Sequence, residues 1–205
     1  MNHKKTTLLA LAAGLGLAGP ANAQLIITGL GDPSGGTGDI LELYATSDIS
    51  DLSSWGFEKA NNSESLAGSP TSFASTSLSA GGFYYVTSDS TDFDMFTGFA
   101  ADEDLNLGIN GNDTIGLYNG TTLVDRVLDD ADDTDIHGDG WIYRSDGTGP
   151  ESNFNIASWT ATTGTLGDSN SSTNAASSTP MPLGTYAVPE PSTYALLLGL
   201  FSLSW

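Results

Sequence analysis

Asp125, Asp129, Asp130, Asp132, Asp133, Asp135 and Asp139 fall within fifteen residues of one another, with Gly138 and Gly140 beside them. Carboxylate oxygens on a glycine-bearing loop are the donors that Ca2+ takes. With Asp135 as position 1 of an EF-hand-like loop, His137 stands at 3, Asp139 at 5, Gly140 at 6, Ile142 at 8 and Asp146 at 12. The glycine, the apolar eighth position and the closing carboxylate match such a loop. His137 does not, because a neutral imidazole is a poor partner for a hard cation. The candidate metal ligands are therefore Asp135, Asp139 and Asp146, and Trp141 is the candidate ring for stacking a sugar or other small ligand beside them. A solvated acidic loop is the other reading of the same run, and the residues alone leave both open.

No catalytic set follows from these side chains. The chain has no Cys, and its histidines are His3 and His137 alone. A Ser-His-Asp arrangement would need His137 inside the acidic run, where the surrounding charge is expected to favour imidazolium and spoil a general base. Paired carboxylates could act on a glycosidic bond, but among 25 acidic residues some pair always meets the spacing. The expectation is a protein that is not an enzyme. Arg126 and Arg144 are expected to pair with neighbouring Asp, and at least two of Trp55, Trp141 and Trp159 to serve the core.

The elements that must position such a loop read as strands. The 205 residues suit about one domain, and 25 acids against 5 basic residues give a net charge of −20. That balance excludes nucleic acid and anionic lipid as direct partners, since both are held by Lys and Arg. With 39% hydrophobic residues a core can form. Leu25 to Ile27, Ile40 to Tyr44, Phe83 to Val86, Ile115 to Tyr118, Leu123 to Val127 and Trp141 to Tyr143 are short apolar bursts between turn formers. Asn119-Gly120 predicts a tight type I′ hairpin between two of them. Few helices are expected, and the spacing points to an all-β sandwich.

Both ends read as addresses. Met1 to Ala23 has the basic start, apolar stretch and Pro break of a signal peptide, with Ala21 and Ala23 placed for signal peptidase and Gln24 as the mature start. Loss of Lys4 and Lys5 with that segment leaves three basic side chains against 25 acids. Ser169 to Thr179 is polar and of low complexity, so residues 169–187 are expected to be a flexible spacer after a domain spanning 24–168.

Val188-Pro189-Glu190-Pro191-Ser192, followed by the apolar run Tyr194 to Leu203, resembles the PEP-CTERM sorting signal of Gram-negative bacteria that make extracellular polysaccharide. The resemblance implies recognition by an exosortase-type sorting machinery, membrane contact through residues 188–205 before processing, and display at the cell surface or in the matrix. The apolar run is a short helix rather than a span of about 20 residues, and no basic cluster follows it, so an incomplete or degenerate signal is expected.

Asp39-Ile40-Leu41-Glu42-Leu43-Tyr44, Asp51-Leu52-Ser53-Ser54-Trp55 and Leu78 to Val86 resemble the lamin tail domain. Asn112 to Leu117, Leu123-Val124-Asp125 and the segment from Gly140 to Trp159 continue the likeness to the forms found in secreted bacterial nucleases. The resemblance implies an immunoglobulin-like β-sandwich over most of residues 24–177 and a surface or matrix module associated with exopolysaccharide or surface proteins. The nuclease chemistry of those proteins sits in a separate domain for which this chain has no room. A Ca2+-dependent glycan or small-ligand module is the alternative.

Overall fold

Every second side chain of each apolar burst turns toward one interface, which is what two stacked sheets require. The computed structural model describes residues 24–35, 38–62, 64–130, 132–168 and 172–188. Ala21, Ala23, Pro189 to Ser192 and the C-terminal apolar run lie outside them.

The strands in chain order are β1 (Leu25–Gly31), β2 (Ile40–Ala45), β3 (Trp55–Ala60), β4 (Thr71–Ser72), β5 (Phe83–Thr87), β6 (Glu103–Asp104), β7 (Thr114–Asn119), β8 (Thr122–Val127), β9 (Trp141–Arg144) and β10 (Trp159–Thr162). One α-helix, α1 (Ser90–Thr97), follows β5. A six-stranded sheet in the order β10-β9-β1-β2-β5-β6 faces a four-stranded sheet in the order β4-β3-β7-β8. All pairings are antiparallel except β5 with β6. Leu25, Ile27, Leu41, Leu43 and Val86 of the larger sheet meet Phe57, Ile115, Leu117 and Val127 of the smaller one in the main core. The fold is the expected all-β sandwich, and all six strands read from the sequence are present.

Ile27 and Leu30 both enter that core although strict alternation puts residues three positions apart on opposite faces. A register shift between Ile27 and Gly29 supplies the extra residue that restores the inward face. The β7–β8 hairpin also departs from expectation. Asn119 pairs with Thr122, so the turn is Gly120-Thr121, and positive φ is confined to Gly120 at 58°, the pattern of a type II′ turn. A β-carbon on Gly120 would meet nothing within 4 Å. Gly120→Ala is thus expected to cost about 1 kcal/mol through backbone conformation alone, read from the urea midpoint.

The outer face of the larger sheet carries a second apolar layer, in which Ile26, Ile40, Trp141 and Tyr143 pack with Phe93 and Phe96 of α1 and with Leu166, Met181 and Tyr186. Helix α1 starts where the Asp89 carboxylate accepts the Thr91 and Asp92 N–H groups, and ends at Gly98 in the left-handed region.

Residues 172–187 are a correction to the expected spacer, because they form a strap across this outer layer. Met181 fills the space left by Gly29 and Gly31, where a β-carbon would lie 2.5–2.9 Å from its side chain. The Gly184 N–H donates to Glu42 Oε2 at 2.7 Å. Tyr143 OH donates to Glu42 Oε1 at 2.7 Å and accepts the Thr185 and Tyr186 N–H groups. The polar composition suggested solvation, but Met181 and Tyr186 are buried, and their burial acts together with the hydrogen bonds to Glu42, Tyr143 and Asn174 against the ordering cost of the segment.

Candidate functional site

Three loops converge at the end of β1. Asp32, just past Gly31, is drawn to the loop before β9 by its own N–H, which donates to Gly140 O at 2.9 Å, and by its carboxylate, which accepts the Asp139 N–H at 3.2 Å. The loop before β7 is stitched to the same place because Ile136 N–H donates to Gly111 O at 3.0 Å. Only glycine fits at 111, since a β-carbon there would fall on the Gly138 amide nitrogen and the Asp135 carboxylate. Asp113, fully buried, orders the rim by accepting the Asn62 and Asn110 N–H groups at 2.9 and 3.0 Å.

The result is an open pocket of about 350 Å³ lined by Asp32, Asp135, Asp139, Asn62, Asn110 and Asn112 with Gly111 and Gly138. Burial, together with the charges of Asp39, Asp139 and Asp135, pushes the Asp32 carboxyl up to about 6, against the pull of the Asp139 N–H. Asp135 is occupied in part by the Gly138 N–H, at 2.7 Å. Chemically the pocket offers carboxylate and amide oxygens to a cation or to hydroxyl donors. Among the described residues, no group of three or more His, Cys, Asp or Glu is arranged to hold a metal ion.

Asp135 and Asp139 of the expected ligand set come together here, joined by Asp32 from 103 positions upstream. Asp146 does not join them. Strand β9 runs between, paired on both sides, and Asp146 lies beyond its far end, where its carboxylate accepts the Ala187 N–H at 2.9 Å. The EF-hand-like count fails because residues 141–144 are extended and central in a sheet. Trp141 is also reassigned: only 7% of it is exposed, its indole N–H donates to Thr179 O at 2.9 Å, and no open ring face remains for stacking. Trp55 and Trp159 are buried as well.

His137 overturns the expected imidazolium. It is fully buried, neither ring nitrogen has a hydrogen-bond partner among the described residues, and burial pushes its pKa down to about 4 despite the charge of Asp135. Low dielectric wins over a nearby carboxylate here. Arg126 pairs with Asp130 at 2.7 Å and Arg144 with Asp125 at 2.7 Å, as expected.

Asp133 accepts the Asn112 side-chain amide at 2.6 Å, and three others of the acidic run accept backbone donors. Asp129 takes the Phe154 N–H, Asp130 the Leu66 N–H and Asp132 the Thr134 N–H. Asp32, Asn110 and Asn112 were missed by sequence reasoning. Their only local signal is a turn composition, Asp32-Pro33 and Asn110-Gly111, and their convergence is a long-range fact.

Comparison of the chain with protein-family models, curated proteins and solved structures finds no match.

Proposed function

We propose that this chain is an exported, non-enzymatic surface or extracellular-matrix module. In this reading it is an immunoglobulin-like sandwich of lamin-tail type, sorted by an exosortase-type machinery through Val188 to Ser192 and held among exopolysaccharide or surface proteins. The observation that supports it most is the continuity of the folded domain with the sorting motif. The strap ends with Ala187 fixed on both sides, its N–H on Asp146 and its carbonyl on the Gly147 N–H at 3.0 Å. Val188, the first residue of the motif, is then 48% exposed. The described fold thus ends at the residue where the motif begins. The buried ionisable groups also fit the reading, since Asp125, Arg144 and Glu42 are engaged in holding strands and strap together.

The test is expression in a Gram-negative, polysaccharide-producing host with and without its exosortase. The expected result is recovery in the surface and matrix fraction of the first strain, with loss from that fraction when the exosortase is absent or when Val188 to Ser192 are replaced by Ala. Indifference to both changes would remove the reading. The Ca2+-dependent alternative now rests on Asp135 and Asp139 with Asp32, without Asp146 or Trp141. A CaCl2-induced rise in Tm that Asp135→Asn and Asp139→Asn together abolish would put it first.

A further inference from the structure

We infer that the folded domain sets the boundary of its own C-terminal processing: proteolysis stops beyond Ala187, and the strap 172–187 stays with the domain. This rests on the sorting reading for the identity of the processing enzyme, but its physical basis is independent. A protease needs several consecutive residues extended and free of tertiary contacts, and so samples only locally open chain. Residues 181–187 offer none.

The attachments run through the whole segment. Met181 exchanges two hydrogen bonds with the Asn174 side chain, its N–H to Oδ1 at 2.8 Å and its carbonyl from Nδ2 at 2.9 Å. Its own side chain sits over Gly29 and Gly31. Gly184, Thr185 and Tyr186 give their N–H groups to Glu42 and Tyr143 OH. The Tyr186 ring packs edge-on against Tyr44 at 5.1 Å, and its OH donates to Thr148 O at 2.7 Å. The pairing of Ala187 with Asp146 and Gly147 closes the row. The first residue past this row is Val188, half exposed. Hydrolysis, in which the C–N bond breaks and water supplies the hydroxyl of the new carboxyl group and one proton to the leaving amine, is therefore confined to bonds C-terminal to the strap.

Two of the latch groups are unusual in being buried and polar. Glu42 accepts from Thr28, Tyr143 and Gly184 with no exposed surface of its own. Tyr143 OH is the joint between Glu42 and the strap backbone. Removing that one oxygen leaves the ring in the outer core and frees two strap N–H groups, so Tyr143→Phe opens the strap without dismantling the sheets.

The experiment is limited digestion of the purified full chain with subtilisin, read by intact mass. The expected limit fragment ends at Val188 or later, and Tyr143→Phe is expected to be cut within 181–187 about tenfold faster or more. A wild-type limit fragment ending between 172 and 187 would overturn the inference. So would a Tyr143→Phe chain no more sensitive than wild type. The same mass measurement on protein recovered from the host surface is expected to give a C-terminus beyond Ala187, and one within the strap would also overturn it. A chain never exported or never cut in that host would count against the sorting reading alone, since the digestion decides the strap by itself.

Discussion

Asp125→Ala is expected to cost about 3–5 kcal/mol, the range for removing one partner of a buried ion pair, and so to leave the domain largely unfolded in mild denaturant. Asp125 on β8 and Arg144 on β9 belong to different sheets and are both buried. Arg144 Nη2 donates to both Asp125 oxygens at 2.7 Å. The same carboxylate accepts the Ile27 N–H and the Glu151 N–H at 2.9 Å and the Arg126 N–H at 3.0 Å. Burial drives the Asp125 pKa up, and Arg144 with the backbone donors pulls it back. Every contact is a donor, so a protonated carboxyl would have no acceptor to meet, and the group is a carboxylate.

Arg144 is equally committed, with Nε on Ile27 O, Nη1 on Gly149 O and its Cζ 4.1 Å from the centre of the Trp159 ring. Alanine at 125 strands that guanidinium in the core and orphans N–H groups on β1 and in the 145–151 turn. Against a total stability of about 5–15 kcal/mol the loss is large. The double variant Asp125→Leu with Arg144→Met removes both charges and is expected to be more stable than Asp125→Ala alone. Urea unfolding decides it: a single variant within about 1 kcal/mol of wild type would mean the pair is solvated and not a tie between sheets.

That tie shows where sequence reasoning reaches its limit. That Arg144 would pair with an Asp was legible, because a chain with so few cations will neutralise them, but its partner Asp125 lies 19 positions away and was not named. The burial of Asp125 was not read, although it lies inside the Leu123 to Val127 burst and Asp129 and Asp130 follow it, because the partner that lets a carboxylate face inward, Arg144, comes from the other sheet. The strands were legible where alternation is strong, as in Ile40 to Tyr44. Trp55–Ala60 and Trp159–Thr162 were not, because Gly, Glu, Lys and Thr dilute the pattern. The strap was misread for a related reason. Ser and Thr dominate its composition, whereas its docking depends on Met181 and Tyr186 meeting Gly29 and Tyr44, contacts some 140 to 150 positions apart in the chain. Of the candidate pocket only Asp135, Gly138 and Asp139 were visible, because they are neighbours in the chain. Asp32 arrives through the β1–β9 pairing, and only topology places it.

His137→Leu is expected to remove an acid sensitivity without harming the domain at neutral pH. At pH 7 the imidazole is neutral in the folded chain and mainly neutral in the unfolded one, and its two nitrogens have no partner among the described residues, so an apolar side chain forfeits no hydrogen bond there. Below pH 6.5 the unfolded chain takes up a proton at this residue, while the folded one resists until about pH 4. A depressed folded pKa is stability that is complete above the unfolded value and lost as pH falls. Across the full window the loss is about 3 kcal/mol, and about 2 kcal/mol of it falls between pH 7 and pH 5. Burial of Asp32, Asp39, Glu42 and Asp102 raises their pKa values, which gives stability that grows as pH falls, so the wild-type curve alone mixes opposing slopes. The difference between wild type and His137→Leu cancels the shared carboxylates and isolates the imidazole, apart from its coupling to Asp135. Urea midpoints at half-unit steps from pH 7 to pH 4.5 should show the variant gaining on wild type throughout. Parallel curves would mean that His137 protonates freely in the folded protein, and the closed loop around it would then have to open to water at ordinary cost.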